Sequence, residues 1–374
     1  MITPRERVLM TVSHERPDRT PRDFWIEAPA LRRLQAHLGL TDEEAILQAL
    51  GIDFRHLNAV EPPHRELAPG TWQNYWGERF VYRETGWGPM REDLPGALAE
   101  AEDRSDCGAG ACTPPTVGGP DTRRGTSPRP TEDGLPPAFE AFSWPSPDDF
   151  DYSLLAGQVR EAEPYALVYG FADVWERPAL VRGWENMLLD MALHPEWVHF
   201  LCRKFVDFYR EDYTRAMEQS GGRIDFFLLL SDLGSQHGPL MSMSMFRELV
   251  APYLREMVEH IHSLGAKVFY HSCGATNLFI PDLIAMGVDL LDPLQPVNAA
   301  MQPEALQANF GGQVCFHGGI DMQGVLPRGT PEEVRAEVRR YCEALGSEGG
   351  YVLAPTHLFQ PDVPPENIVA MYEG

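Results

Sequence analysis

Short apolar runs rich in β-branched and aromatic residues recur along the chain, and helical patterns separate most of them. Eight such runs are predicted strands, at residues 22–27, 53–60, 165–171, 225–232, 267–273, 289–295, 314–319 and 350–357. Strands that alternate with helices form parallel sheets, and eight of them predict an α/β fold, the closed (β/α)8 or TIM barrel. A doubly wound sheet would have fewer strands and a glycine-rich phosphate turn after the first, and no such turn occurs in the sequence.

We predict a single domain over residues 1–374, interrupted by one segment of different composition. Residues 99–137 are rich in glycine, proline, serine and threonine and nearly lack large apolar side chains. Such a segment cannot bury enough apolar surface to offset the entropy lost on ordering, so we predict a flexible surface insertion. The alternative is a lid over a functional site, but the composition favours a surface insertion that takes no part in such a site. Residues 71–89 alternate aromatic and polar residues around glycines, which predicts a small β-excursion.

The chain carries 31 Lys and Arg against 55 Asp and Glu, a net charge of −24. An acidic excess of this size repels nucleic acids and anionic membrane surfaces, so we expect neither as a partner. No apolar stretch is long enough to span a membrane and the first residues contain no signal-peptide core, so we expect a cytoplasmic protein. Six cysteines are too few for a disulfide framework, which leaves metal binding or a catalytic thiol for a clustered one.

Polar residues that close the predicted strands are candidates for chemistry, because the active site of a barrel lies at the C-terminal ends of its strands. His271 and Cys273 end the fifth run, and since side chains alternate along a strand they project to the same side. His357 ends the eighth run. Together the three groups predict a zinc site with one position open for water or substrate. The alternative for His271 and Cys273 is a purely structural pair, a core histidine beside a buried cysteine. The alternative for His357 is a loop histidine exposed to water.

Further polar or aromatic residues end other runs: Trp25 in the first, Tyr169, Trp175 and Glu176 at the third, Asp232 at the fourth, Gln295 and Asn298 at the sixth, and His317 in the seventh. Each has the alternative of a structural role in a turn or behind the site. Asp232 is the strongest candidate, because an acidic residue that closes four apolar residues at a barrel mouth must find a partner.

Several longer motifs carry a resemblance to a known family. They are SDLGSQ, YHSCG followed by IPDLIAMGVDLLDPLQ, FHGGIDMQGVLPRGTPEEV, and GGYVLAPTHLFQPDVPPENIVAMYE. With these motifs the chain resembles the uroporphyrinogen decarboxylase superfamily over residues 4–60 and 144–374. Within it, the chain is most similar to the branch of cobamide- and corrinoid-dependent methyltransferases and their uncharacterised relatives. The resemblance implies a (β/α)8 barrel, in agreement with the strand count.

The methyltransferase branch has a zinc ion bound by a His-x-Cys pair, which matches His271 and Cys273, and by a distant cysteine whose position is occupied by His357 in this sequence. Histidine is also a zinc ligand, so the resemblance still implies metal binding. Because a neutral imidazole replaces a thiolate, the site is one negative charge poorer. We expect a stronger Lewis acid and a weaker donor to a bound thiol, which disfavours transfer to the usual thiol acceptor.

The resemblance therefore implies a zinc-dependent methyltransferase that moves a methyl group between a small-molecule donor or acceptor and a corrinoid of the methylcobalamin type, free or on a partner protein. In this hypothesis Asp232 and Glu176 position or protonate the substrate and are the catalytic residues. The substrate-binding residues are Trp25, Tyr169, Trp175, Gln295, Asn298 and His317. The resemblance is also compatible with a homodimer.

Two alternatives stay open. One is uroporphyrinogen decarboxylation, in which an acid such as Asp232 stabilises a pyrrole-like cation. True decarboxylases of the superfamily grip the tetrapyrrole carboxylates with an arginine-rich N-terminal motif, whereas this sequence has one arginine, Arg22, before the first strand and an acid, Glu27, at its end. Like charges repel in a mouth of low dielectric, which argues against this alternative. The other is a corrinoid- or small-molecule-binding barrel without catalysis.

Overall fold

The computed structural model describes residues 2–81, 98 and 135–373. Its strands are β1 Phe54–Leu57, β2 Arg65–Ala68, β3 Thr71–Gln73, β4 Arg79–Val81, β5 Ala166–Asp173, β6 Phe226–Leu230, β7 Lys267–His271, β8 Leu290–Asp292, β9 Cys315–His317 and β10 Tyr351–Val352. The α-helices are Pro4–Val12, Ala28–Leu38, Glu43–Ala49, Pro137–Ala141, Leu155–Glu161, Glu176–Arg182, Trp184–Leu193, Pro195–Gln219, Met243–Met245, Ala251–Ser263, Ile280–Met286, Pro303–Phe310, Val325–Arg328, Pro331–Leu345 and Pro365–Tyr372. Single turns of 3₁₀ helix lie at Pro147–Asp149 and Ala299–Met301, and a π-helical turn lies at Phe246–Val250.

Seven of these strands form one parallel sheet in the order β1, β5, β6, β7, β8, β9 and β10. The extended segment 22–26 closes the ring between the two ends of this sheet. The Asp23 amide donates to the Leu353 carbonyl next to β10 (3.0 Å), and the Asp53 amide next to β1 donates to the Arg22 carbonyl (2.9 Å). Seven of the eight predicted strands are therefore found in the parallel sheet, and the first, residues 22–27, is an extended segment with isolated bridges from Arg22 to Leu353 and from Ile26 to Phe359. The predicted (β/α)8 barrel is confirmed.

Side chains that alternate along the strands fill the interior of the barrel. The interior cluster is apolar and includes Phe54, Val168, Leu228, Phe269, Leu290, Cys315 and Val352. Two residues further along three neighbouring strands, the same inward face carries His271, Asp292 and His317, which are 5%, 4% and 2% exposed. A barrel interior is normally filled by branched apolar side chains, so this buried polar layer makes the C-terminal mouth the candidate functional end.

Strands β2, β3 and β4 form a separate three-stranded antiparallel sheet. This sheet confirms the predicted β-excursion as far as residue 81, and residues 82–89 of that prediction lie outside the described residues. Trp76, in the turn between β3 and β4, stacks on Phe205 of the helix Pro195–Gln219 with 4.3 Å between ring centroids, which fixes the small sheet against the outer layer. Residues 99–134 of the predicted insertion 99–137 also lie outside the described residues, so its flexibility stays a prediction.

The longest described helix, Pro195–Gln219, packs its apolar side on the barrel, where Phe205, Tyr209 and Tyr213 are buried. Its other side carries charged residues such as Arg203, which pairs with Glu256. Within the described part of the chain, no helix combines the length and apolar composition needed to cross a membrane.

Candidate metal centre

Three donor atoms converge at the mouth of the barrel. His271 ends β7, Cys273 follows two residues later and His357 follows β10, and one ligand atom of each lies within 4.8 Å of the other two. Cys273 Sγ and His271 Nε2 are 3.4 Å apart. In a tetrahedral zinc site with Zn–S of about 2.3 Å and Zn–N of about 2.0 Å, two such ligand atoms lie about 3.5 Å apart. The structure thus brings together the three predicted ligands at a separation that suits a shared ion.

The three side chains differ in exposure. His271 is buried, Cys273 is half-buried and His357 is exposed. His357 lines a cavity of about 370 Å³, hereafter the mouth cavity, whose walls include Gln295, Gln323 and Thr356. Three protein donors with open space beside them form the arrangement of a catalytic zinc site, whereas structural sites are closed by a fourth protein ligand.

Behind the three donors, the polar layer forms a chain of alternating imidazoles and carboxylates. His271 Nδ1 is hydrogen-bonded to Asp292 Oδ2, and His317 Nδ1 lies 2.6 Å from Asp292 Oδ1. His317 Nε2 lies 3.2 Å from Asp23 Oδ2, and His56 Nε2 lies 3.3 Å from Asp23 Oδ1. This series of hydrogen bonds therefore runs from the candidate metal ligand His271 across the barrel to His56 on β1.

The protonation states of these hydrogen-bonded imidazoles and carboxylates depend on one another. Burial alone would raise the pKa of Asp292, but His317 and His271 outweigh it and hold that pKa below its ordinary value. Burial also opposes a charge on His317, yet Asp292 and Asp23 raise the pKa of His317 to about 9. Asp292 is therefore ionised at neutral pH, and it holds His271 through Nδ1 so that Nε2 faces Cys273.

Backbone contacts hold Cys273 in the mouth. The Cys273 amide donates to Asp232 Oδ1 (2.7 Å), and the next amide, of Gly274, donates to Gln295 Oε1 (2.7 Å). Gly274 has a φ of +83°, and a Cβ at this position would lie 2.6 Å from the backbone of Gly234. Glycine is therefore required for the loops after β6 and β7 to approach each other, and this approach positions the thiol.

A family profile described as uroporphyrinogen decarboxylase (URO-D) matches residues 178–374, just over half of the chain. The chain belongs to the uroporphyrinogen decarboxylase family. The matched region contains β6 to β10 and all three candidate zinc ligands. The resemblance carried by the sequence motifs is thereby confirmed.

Curated proteins similar to this URO-D family member have two different names. A methylated-thiol–coenzyme M methyltransferase of Methanosarcina mazei is 27% identical over 169 residues, which cover 45% of this chain and 42% of that protein. A uroporphyrinogen decarboxylase of Syntrophotalea carbinolica is 25% identical over 181 residues, which cover 45% of this chain and 50% of that protein. The chain thus spans about half the length of the curated relatives that it matches.

One solved structure, described as a methyltransferase from Methanosarcina mazei, has the same fold throughout. The superposition covers 100% of this chain and 98% of the methyltransferase chain, with a TM-score of 0.67 and 15% sequence identity. At this identity the likeness concerns the fold, and it confirms the barrel. The named members of the family are enzymes, and the shared fold does not determine which reaction a member catalyses.

The structure gives three predicted substrate contacts of this URO-D family member structural partners, and their substrate-binding roles stay predictions. Trp175 is fully buried against Trp184 beside the outer helices. Asn298 caps the 3₁₀ turn Ala299–Met301, and its side chain accepts hydrogen bonds from two backbone amides. Tyr169 faces outward from β5, and its hydroxyl donates to Asp212 of the helix Pro195–Gln219 (3.1 Å). Inward and outward positions of β5 cannot be extrapolated to its end, because the strand register shifts between residues 169 and 172.

His317 lies beneath the mouth, where both of its ring nitrogens contact carboxylates, and its substrate-binding role stays a prediction. Trp25 is found at the mouth, with its ring nearly parallel to that of His271 (9°, 6.1 Å between centroids). Gln295 lines the mouth cavity. Glu176 begins the helix Glu176–Arg182, and the catalytic roles of Glu176 and Asp232 stay predictions.

Asp212, the carboxylate that Tyr169 contacts, allows a test of how a buried charge affects the stability of the protein. Asp212 is 6% exposed, and burial raises its pKa to about 6 although two tyrosine hydroxyls oppose the shift. Because this pKa is higher in the folded than in the unfolded state, stability falls as the pH rises from about 4 to about 6 and then stays level. Asp212→Asn is therefore expected to raise the free energy of unfolding by about 2 kcal/mol at pH 7.5, and by about half of that at pH 5.

Urea denaturation at the two pH values measures this difference. Glu218→Gln, which removes an exposed carboxylate from the same helix, is the matched control and is expected to change stability by less than about 0.5 kcal/mol. An Asp212→Asn protein that is less stable than the parent at pH 7.5 would contradict the expectation.

Proposed function

We propose that this URO-D family member is a zinc-dependent methyltransferase that moves a methyl group between a small substrate and a corrinoid cofactor. The observation that carries the proposal is the convergence of His271, Cys273 and His357 beside the mouth cavity. A thiolate and two imidazoles are a ligand set that zinc prefers. The hydrogen bond from His271 to Asp292 is the outer-shell contact that metal-binding histidines usually make.

When bound, zinc supplies a Lewis acid that lowers the pKa of a thiol or alcohol, or withdraws charge from a leaving oxygen. The residues of the chain supply the surroundings. Asp292 fixes the tautomer and the ring orientation of His271, and Asp232 holds the backbone of Cys273. Trp25 covers the His271 ring on one side and limits access of water there.

The size of the mouth cavity bears on where each reactant binds. About 370 Å³ accommodates a small thiol, ether or amine. A corrinoid macrocycle is larger than this space, so we place it above the mouth, carried by a partner protein or bound from solution. The relative named for a methylated thiol and coenzyme M supports this reactant class. The histidine at position 357 favours a substrate other than a free thiolate acceptor, because the site has one negative charge fewer.

Uroporphyrinogen decarboxylation is the second candidate, since other relatives carry that name. Its substrate has several carboxylates that need cationic partners. The Arg22 guanidinium donates to the Leu50 carbonyl, and the Arg22 amide donates to Asp53 before β1, at the end of the barrel opposite the mouth. Among the described residues that line the mouth cavity, Arg328 is the only arginine. The lining therefore favours a small substrate over a polyanionic tetrapyrrole.

Metal analysis and a corrinoid assay together test the proposal. We expect about one zinc per chain in protein purified without chelators, and formation of cob(I)alamin from methylcobalamin when candidate thiols are added. Zinc without any corrinoid reaction would favour the non-catalytic binding barrel. Conversion of uroporphyrinogen by protein free of metal would favour the decarboxylase and overturn the proposal.

A further inference from the structure

A second cavity lies on the outer side of the barrel, between β5, the small sheet β2–β4 and the helix Pro195–Gln219. Its volume is about 270 Å³, and we call it the outer cavity. The metal centre does not use it: none of the three candidate zinc ligands lines it. Phe171, at its edge, contacts Trp25 with 6.2 Å between ring centroids, so the outer cavity adjoins the mouth and is separate from it.

Asp212 is a buried charged group in the wall of the outer cavity. Its Oδ1 accepts hydrogen bonds from the hydroxyls of Tyr152 (2.7 Å) and Tyr169 (3.1 Å). Its Oδ2 accepts none from the described residues, although the side chain is only 6% exposed and lines the cavity. Asp212 Oδ2 therefore opens onto the cavity, where it is available to accept a contact from a ligand.

The other charges on the cavity wall leave an excess of negative charge. Arg177 Nη1 lies 3.3 Å from Glu78 Oε2, so these two groups compensate one another. Asp212 and Glu61 are the remaining carboxylates, and His64 at the rim packs edge-on against Phe80. The cavity therefore favours a cation, and the net charge of −24 attracts cations to the protein as a whole.

The wall of the outer cavity is otherwise largely aromatic. It contains Tyr75, Phe80, Phe150, Phe171, Phe208 and Tyr209. The faces of such rings attract cations, and they attract methylated ammonium groups especially well because these need no hydrogen-bond acceptors. A primary ammonium would need three hydrogen-bond acceptors arranged around it, whereas a methylated ammonium is satisfied by ring faces and one carboxylate.

We propose that the outer cavity binds a compact organic cation of the quaternary ammonium class, held between the aromatic rings and the Asp212 carboxylate. The site is distinct from the metal centre and does not depend on the proposed methyl transfer. Its ligand has a methylated nitrogen as the recognised group. The remaining groups of the ligand face the rim, where Asn58, Glu61 and His64 are exposed.

Isothermal titration of the full chain with choline, and with its neutral isostere 3,3-dimethylbutan-1-ol, tests the proposal. The two probes have the same shape and differ in the charge. We expect choline to bind and the neutral alcohol to bind at least about tenfold more weakly. Equal binding of both probes would show an apolar pocket without charge recognition and would overturn the proposal, as would no binding of choline.

Variants locate the site. Asp212→Asn and Phe150→Leu are each expected to weaken choline binding by about tenfold, because one removes the charge and the other a ring face. The matched control Glu218→Gln changes the net charge by the same amount as Asp212→Asn and is expected to bind choline like the parent. Cys273→Ala is also expected to bind choline normally, which separates failure of this proposal from failure of the metal centre. Unchanged binding in both cavity variants would overturn the assignment.

Discussion

Protein carrying Cys273→Ala is expected to be folded and to contain almost no zinc after dialysis. Cys273 lies in a loop, is half-buried and contributes to no strand, so its removal costs little stability. The thiolate is the one negatively charged donor in the group His271, Cys273 and His357. Removing it takes away both a ligand and the charge that offsets the ion, so the affinity falls by more than the roughly 10- to 100-fold that follows the loss of an outer-shell partner.

Zinc per chain and competition with a chromophoric chelator measure this effect. Cys342→Ala is the matched control, because Cys342 is also a half-buried free cysteine and lies in the outer helix Pro331–Leu345. His357→Ala provides a second test: its side chain is exposed, so its loss is not expected to disturb folding, and zinc binding is expected to weaken about as strongly. Full zinc content in both ligand variants would remove the basis of the proposed function.

The barrel was predictable from the sequence because each strand has its own local signal. The buried polar layer at the mouth was less predictable. His271 and Cys273 were found because they stand two residues apart on one strand, and this spacing fixes their common side. Asp292 closes its strand equally clearly, but its contact with His271 depends on the register between β7 and β8, which pairs the two residues. Register across a parallel sheet is set by tertiary packing and has no local sequence signal.

Residues contributed by different parts of the ring were the hardest to predict. Asp23 reaches His317 from the segment between the helices Pro4–Val12 and Ala28–Leu38, a link across 294 positions of sequence. Trp175 and Tyr169 have the composition of a substrate wall, yet they pack outside the barrel. The strand ends pointed to the mouth, but which side chains enter it is decided by bulges and turns such as the one at Gly170, where φ is +89°.

Asp292→Asn is expected to weaken zinc binding by about 10- to 100-fold while all three ligands remain. In the parent, one carboxylate oxygen of Asp292 contacts His271 Nδ1 and the other contacts His317 Nδ1. Asparagine keeps one acceptor but turns an NH₂ group toward the second imidazole, so one ring loses its partner and rotates. The same change leaves His317 buried with one carboxylate fewer, and the free energy of unfolding of the metal-free protein is expected to fall by about 3 kcal/mol.

Two measurements separate these effects: chelator competition on protein shown to be folded by circular dichroism, and urea denaturation without metal. Asp289→Asn is the control, because Asp289 stands just before the same strand at the opposite end of the barrel. There it contacts His262 and the Val268 amide. It is expected to lower stability without changing the zinc affinity. If folded Asp292→Asn protein bound zinc like the parent, the orientation of His271 would have to come from the Trp25 ring and the strand backbone alone.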